Sequence, residues 1–352
     1  MGAQVIYPSR SSARPVNPLV GDAFATAAGE VNSPFDYISE AVLPPLNMGF
    51  RDSGATGTIQ RVKADELIQG GTLLPREPNA EIEAVAGVQL DPITFTLEEY
   101  SRQFGVPSID VEDTQGIDLY GVNVANIWHS LKILQEARLD TFLMAGTWHP
   151  SDGNVSTKWD ANGGDPIGDI SEVCGFVPGA NAIVMNRQVA FEIGKAANIR
   201  AYEPNDSRRH FVDPSALAAY LKGAFGLNLF ISGARKSVSG TESYILRDSV
   251  WIGRVATGAI DLGPNGFRVN RHGAVRMAAQ IQPTDNAGVR SSLLPSVAMD
   301  QMGNPMAGAP TLWQLEEWGT PSRRGKNASI GHREVLVQTS AVGGWVLGDV
   351  LT

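Results

Sequence analysis

The sequence predicts an α+β fold, and three observations carry that expectation. A single amphipathic stretch from Ile117 to about Met144 reads as one long helix. Past Asp165, short apolar strands alternate with segments of helical period. Before residue 91, Pro- and Gly-punctuated segments hold too little apolar surface to fold alone. The stretch from Ile117 to Arg200 contains no residue pattern that looks like chemistry. It reads as a frame of rod, loop, buried strand and covering helix.

Residues 1–50 are broken by prolines and carry scattered large apolar side chains such as Phe35 and Ile38. They read as an arm lying across other surfaces. Residues 51–90 read as an extended hairpin. Gly54 and Gly57 open it, Thr58 to Val62 is β-prone, Gly70-Gly71 signals a turn, and Pro75 and Pro78 interrupt the return side. Ile93, Phe95 and Leu97 alternate with polar residues, as in a half-buried strand.

In the long helix, Tyr120, Val124, Ile127, Leu131 and Leu134 recur at three- and four-residue spacing, and Trp128 widens the stripe. Asn123, Asn126, Ser130, Gln135 and Arg138 form the expected polar side. At 1.5 Å per residue the whole stretch would span roughly 42 Å. A loop rich in Gly, Asp and Trp follows from Gly146, ending in a turn at Asp165-Pro166-Ile167.

Ala182 to Met185 reads as a strand and Arg187 to Lys195 as the helix after it. Asp213-Pro214 opens another helix that stops before Gly226, with Asp as the N-cap and Pro in the first turn. Leu227 to Ile231, Tyr244 to Leu246 and Val250 to Ile252 are strand candidates, and 258–280 reads as β. Residues 281–310, with four prolines, read as a long loop. Arg333 to Thr339 and Trp345 to Leu347, joined at Gly343-Gly344, read as a hairpin.

The chain has 352 residues and a formal net charge of −9, with no Lys/Arg block. A tight nucleic-acid binder needs a clustered basic stripe to neutralise phosphates, so gripping of nucleic acid is not expected. Only 18% of residues are charged, which suits a surface covered by partners as well as a loop-rich chain. The single cysteine, Cys174, excludes an intramolecular disulfide and a Cys-based zinc site. Its apolar surroundings suggest a buried, inert thiol. No apolar run reaches the ~20 residues of a membrane span, and Met1 to Pro18 lacks the apolar core of a signal peptide, so synthesis inside the cell is expected.

Catalytic motifs find little support. Gly319 to Asn327 resembles a phosphate loop, but it is one residue too long and Asn327 stands where Ser or Thr is required. The five histidines are scattered, so no metal site is expected. Glu98-Glu99, Glu112-Asp113 and Glu316-Glu317 could supply a glycosidase-like pair, with Trp148, Trp159, Trp313 and Trp318 as a sugar platform. Solvated carboxylates and core tryptophans are the plainer reading. No catalytic residue, cofactor or metal is expected.

The order of segments resembles the major capsid protein of tailed bacteriophages, the Hong Kong 97-type fold. The residues that carry it are the strand ending near Tyr100, the long helix, the loop with Trp148 and Trp159, and Asp165-Pro166-Ile167. They continue with Gly179 to Met185 and its helix, Phe225 to Ile231, and Val250 to Gly253. The resemblance spans nearly the whole chain, with weak individual motifs in a telling order. It implies an N-terminal arm at 1–50, an extended loop at 51–90, and a peripheral domain from 91–165 plus 311–352 whose spine helix covers 117–144. The axial domain would be 166–310.

Such a protein is expected to self-assemble into hexamers and pentamers of an icosahedral head around double-stranded DNA, without sequence-specific binding and without a membrane. Assembly would take place in the host cytoplasm, and the mature location would be the virion. A portal protein, a scaffolding protein and a decoration protein are the implied partners. Retained Met1, with no long leading extension, suggests a separate scaffolding protein. Some relatives crosslink a loop lysine to a neighbour's asparagine. Lys63 is the only lysine in 51–90 and Asn327 a conceivable partner, but that crosslink is not expected here. A nanocompartment (encapsulin-like) shell on the same fold is the nearest alternative, and a carboxylate-based hydrolase a more distant one.

Overall fold

A computed structural model describes residues 37–51, 55–62, 90–106, 119–144, 147–149, 153–161, 163–195, 212–238, 240–263, 266–281, 289–293, 313–320 and 325–352. Most of the expected arm and extended loop, including Lys63, lies outside the described residues.

A six-stranded sheet forms around its longest strand, β16 (Gly325–Gln338). That strand pairs antiparallel with β4 (Glu98–Val106), β15 (Gln314–Thr320) and β13 (Ala274–Ile281). β1 (Pro45–Arg51) runs parallel to β13, and β14 (Val289–Leu293) closes the far edge beside β15. The strand at 289–293 corrects the expectation of an uninterrupted loop. Val289 and Leu293 bracket a short polar run that pairs in register with Trp318 to Gln314, a partner invisible in local sequence.

The second sheet has the order β5-β17-β10-β6-β7, from Gly153–Asn154, Gly344–Gly348, Val250–Gly253, Ala182–Asn186 and Asn228–Ser232. Its β6 is buried at every residue, as a central strand covered on both faces must be. A four-stranded sheet joins β11 (Ala259–Gly263), β12 (Gly266–Val269), β2 (Thr56–Val62) and β3 (Leu90–Thr96). β2 and β3 pair antiparallel from Thr56↔Thr96 to Val62↔Leu90. β8 (Arg235–Val238) and β9 (Thr241–Tyr244) form a separate ribbon. That ribbon ends where the sequence suggested a strand over 244–246.

Gly343-Gly344 does not join a hairpin. β16 belongs to the first sheet and β17 to the second. Between them Thr339 N–H donates to Gly273, and Gly343 accepts from Arg254 N–H. A side chain at Gly343 would collide with the Gly273 backbone. The tight turn therefore closes on another loop and hands the chain between sheets, a use of glycine that looks locally like a hairpin turn.

Helices cover the second sheet. After the four-residue α1 (Ser39–Val42) comes the long α2, Leu119–Met144. Asp165-Pro166 proves to be a helix start rather than a plain turn. Asp165 Oδ1 accepts the Gly168 N–H at 3.1 Å and Pro166 fills the first turn of α3 (Pro166–Phe176). Cys174 lies on α3, half-buried rather than fully enclosed, and burial pushes its thiol pKa up. α4 (Arg187–Lys195) begins where Asn186 Oδ1 accepts Val189 N–H at 2.8 Å. α5 (Pro214–Phe225) ends at Gly226, whose φ of 72° is the left-handed stop glycine supplies. Asp213 occupies the N-cap position of α5 without making the cap bond, its carboxylate accepting from Ser215 instead.

Three apolar clusters stand out among the described residues. One packs α3, α4 and α5 on the second sheet through Ile170, Val189, Ile193, Leu217 and Leu221. The second joins the other face to α2 and α1 through Trp251, Val184, Leu139, Leu143, Val42 and Leu43. The third seals the four-stranded sheet to β1 and β13 through Ile59, Phe95, Phe267, Met48 and Met277.

Candidate functional site

The most unusual feature is a buried charge cluster under α2. The expected polar side of that helix is only partly polar. Val122 and Leu134 are exposed, whereas Gln135 is buried together with Lys132, Glu136 and Asp140. Charges have moved inward because partners wait there on other segments.

Lys132 Nζ lies 2.6 Å from Glu40 of α1 and 5.2 Å from the ring centroids of both Trp128 and Trp313. Trp313 donates its indole N–H to Glu40 at 2.8 Å. Burial alone would raise the Glu40 pKa, but Lys132 and then Arg276 outweigh it and hold that carboxyl below its ordinary value.

Arg276 of β13 and Glu334 of β16 are both fully buried and pair at 3.1 Å. Arg138 adds a 2.7 Å bond to Glu334 while its guanidinium sits 3.7 Å from the Tyr100 ring centroid. Gln135 Nε2 donates to the same carboxylate at 3.2 Å. His332 stacks between Trp313 at 4.1 Å and Tyr100 at 5.5 Å, with Nε2 3.5 Å from Glu334. Burial opposes ionisation of Glu334, yet Arg276, His332 and Arg138 together hold its pKa well below the carboxylate range. Burial, then the hydrogen bond to Glu98, pushes Tyr100 up to about 12.

Glu136 behaves in the opposite way. Its carboxylate accepts Ser232 Oγ–H at 2.8 Å, Ser39 N–H at 3.1 Å and Ile38 N–H at 3.4 Å. Its surface exposure is 0%. Burial pushes its pKa up to about 7 against those bonds and Lys132. Such a value suits a general acid, but no solvent reaches the group, so it acts on the fold and not on a substrate. The cluster ties α1, α2, β4, β7, β13 and β16 together.

Glu99, Ser101 and Gln103, which alternate with Tyr100 along β4, and Glu316 and Trp318 of β15 line an open groove of about 420 Å³. Its carboxylates are engaged: Glu99 pairs with Arg333 at 2.8 Å, and Glu316 accepts from Gln314 at 3.2 Å.

The expected site residues are not brought together. Asn327 lies in β16 between Gly105 of β4 and Trp318 of β15, its carboxamide lying over Gly105. Lys63 is not among the described residues. The tryptophan platform is overturned in large part: Trp148, Trp159 and Trp313 are buried core residues and only Trp318 is half-buried. Gly319, Thr320, Gly325 and Lys326 belong to the paired ends of β15 and β16, whereas a phosphate loop leads into a helix. Among the described residues no cluster of three metal-ligating side chains occurs, and no helix is long and apolar enough to cross a membrane.

The charge cluster escaped sequence reasoning, although one signal was present. Lys132, Glu136 and Asp140 recur every four residues beside Trp128, Leu139 and Leu143, which places charges on the apolar arc itself.

No family model matches the chain, and no curated protein matches it. Solved structures do. A phage-related protein from Bordetella bronchiseptica matches over 96% of this chain and 98% of its own, with a TM-score of 0.56 at 14% identity. The capsid of the cyanophage P-SCSP1u matches over 89% and 88%, with a TM-score of 0.50 at 7% identity. The encapsulin SrpI from Synechococcus elongatus is looser, at a TM-score of 0.44 with 12% identity over 98% and 92%. The class is therefore set by the fold: a mixed α+β chain of the type found in tailed-phage capsid proteins, the Hong Kong 97 fold.

Proposed function

We propose that this chain is the major capsid protein of a tailed bacteriophage, self-assembling into hexamers and pentamers of an icosahedral head around double-stranded DNA. The observation that carries the reading is the length of the match. The likeness to a phage capsid subunit runs over 89% of this chain and 88% of that one, so it is the whole subunit that is shared, not a common module. The net charge of −9 supports it, because an acidic chain without basic blocks lets packaged DNA slide rather than adhere.

The proposed division is an arm at 1–50, an extended loop at 51–90, a peripheral domain at 91–165 plus 311–352 built on α2, and an axial domain at 166–310. Portal, scaffolding and decoration proteins are the proposed partners, with assembly in the host cytoplasm. Shell strength is assigned to packing and not to a Lys63–Asn327 crosslink. Many modest contacts suffice in a closed symmetric shell.

Electron microscopy of the full-length chain, made with and without candidate scaffolding proteins, tests this. Hexamers, pentamers or closed shells are expected. A stable monomer at high concentration under every assembly condition would sink the reading. Nuclease-protected DNA inside purified particles separates a virus head from a nanocompartment.

A further inference from the structure

The geometry around Glu136 points to a device that the shell reading does not require. The described chain enters at Tyr37, whose hydroxyl lies 3.2 Å from His129 on α2. The next two residues meet Glu136. Its two oxygens take the main-chain N–H groups of Ile38 and Ser39, which open α1, and Ser232 Oγ–H from β7 completes the set. One side chain thus fastens the entering chain to both the long helix and the second sheet.

The charged groups facing this carboxyl are already committed elsewhere. Lys132, one turn back on α2, pairs with Glu40 of α1 at 2.6 Å. Arg276 from β13 pairs with Glu334 of β16 at 3.1 Å and donates to the Ser39 carbonyl at 3.0 Å. His332 of β16 also lies against Glu334. Asp140, one turn further along α2, pairs with Arg247 at 2.9 Å. β7 contributes only the neutral Ser232. Among the described residues Glu136 therefore faces three neutral donors and has no dedicated counter-ion. The three donors favour the anion, but full burial without a paired cation imposes a larger desolvation cost on it that the neutral acid does not bear.

We propose that Glu136 is a proton-operated latch: with its proton on, it holds Ile38–Leu43 against α2 and β7, and when the proton leaves, that segment opens first. The protonated form keeps the main contacts: Oε2 still accepts Ser39 N–H, while Oε1 donates to Ser232 Oγ and gives up at most the long 3.4 Å contact with Ile38 N–H. Opening lets water reach the carboxylate and relieves its buried charge.

The sign follows from linkage. In the latched state the group titrates at about 7, against 4.5 when exposed. The latch is therefore tightest below the lower value and weakens as pH rises through the upper one. Between pH 5.5 and 8.5 the opening equilibrium should shift by about 30-fold.

Hydrogen exchange of the full-length chain, corrected for intrinsic rates, measures this on peptides covering Ile38–Leu43. Wild type should lose protection there by about 30-fold over that range, while β6 peptides change little. Glu136→Gln, which cannot ionise, should keep its protection level across the range. Ser232→Ala retains the carboxyl but removes one donor to its ionised form, so it should move the midpoint to higher pH. This variant decides the matter if Glu136→Gln does not fold. Protection in wild type that is flat with pH, an unchanged slope in Glu136→Gln, or an unmoved midpoint in Ser232→Ala would overturn the latch. Because the readout needs no assembly, its failure would leave the capsid reading untouched, and failure of that reading would leave the latch standing.

Discussion

At the scale of single residues, the cluster shows how a buried charge can stabilise only while its partner is present. Glu334, itself fully buried, holds the fully buried Arg276 together with Arg138 and Gln135. Glu334→Ala should destabilise the protein by about 3–5 kcal/mol, because it strands Arg276 as an uncompensated buried cation. Urea unfolding of the variant against wild type measures this, and a loss below ~1 kcal/mol would mean that water or rearrangement replaces the pair. Glu334 and Glu40 both titrate below the ordinary range, so their contribution is present above it and lost as pH falls. Glu136 runs the other way, contributing at low pH and losing that contribution as pH rises to about 7. The protein therefore carries opposed acid and alkaline responses within one cluster.

At the scale of elements, helix starts around the second sheet differ in what they support. Asp165 supplies a cap to α3 through one bond to Gly168, so Asp165→Ala should cost about 1 kcal/mol. Asn186 caps α4 and also donates to the Leu246 carbonyl at 3.3 Å and to Asp248 at 2.7 Å, all from a fully buried position. Asn186→Ala should cost about 2–4 kcal/mol, since it leaves buried polar groups unpaired as well as removing a cap. Thermal melts of the two variants should rank in that order. Equal losses would show that the strand-to-helix corner at β6–α4 does not depend on the amide.

At the scale of the whole molecule, cohesion without a covalent link is the expectation with the most direct test. Asn327 sits near the start of β16, paired on both sides and bracketed by Gly105 and Trp318. To react with a lysine of a neighbour its carboxamide would have to leave the surface of Gly105. Purified particles boiled in detergent should therefore run as a single band near 37.6 kDa. A ladder of covalent multimers that disappears in Asn327→Ala would reverse this assignment.

The sequence alone determined what depends on neighbours in the chain. Hydrophobic period placed α2, and β6, α4 and the Gly226 stop lay where local signals put them, because caps, prolines and periodicity act over one or two turns. The order of those elements was enough to suggest the capsid-type fold. Tertiary structure alone decided what depends on distant partners. It assigned β16 and β17 to different sheets despite the paired glycines between them, made a strand of 289–293, and buried three of the four candidate platform tryptophans. Above all it turned Lys132, Glu136 and Asp140 inward. Whether a charge on a helix faces water or the core is settled by what lies opposite. Here the opposing groups, from Ser39 to Glu334, are separated by up to about three hundred residues of chain.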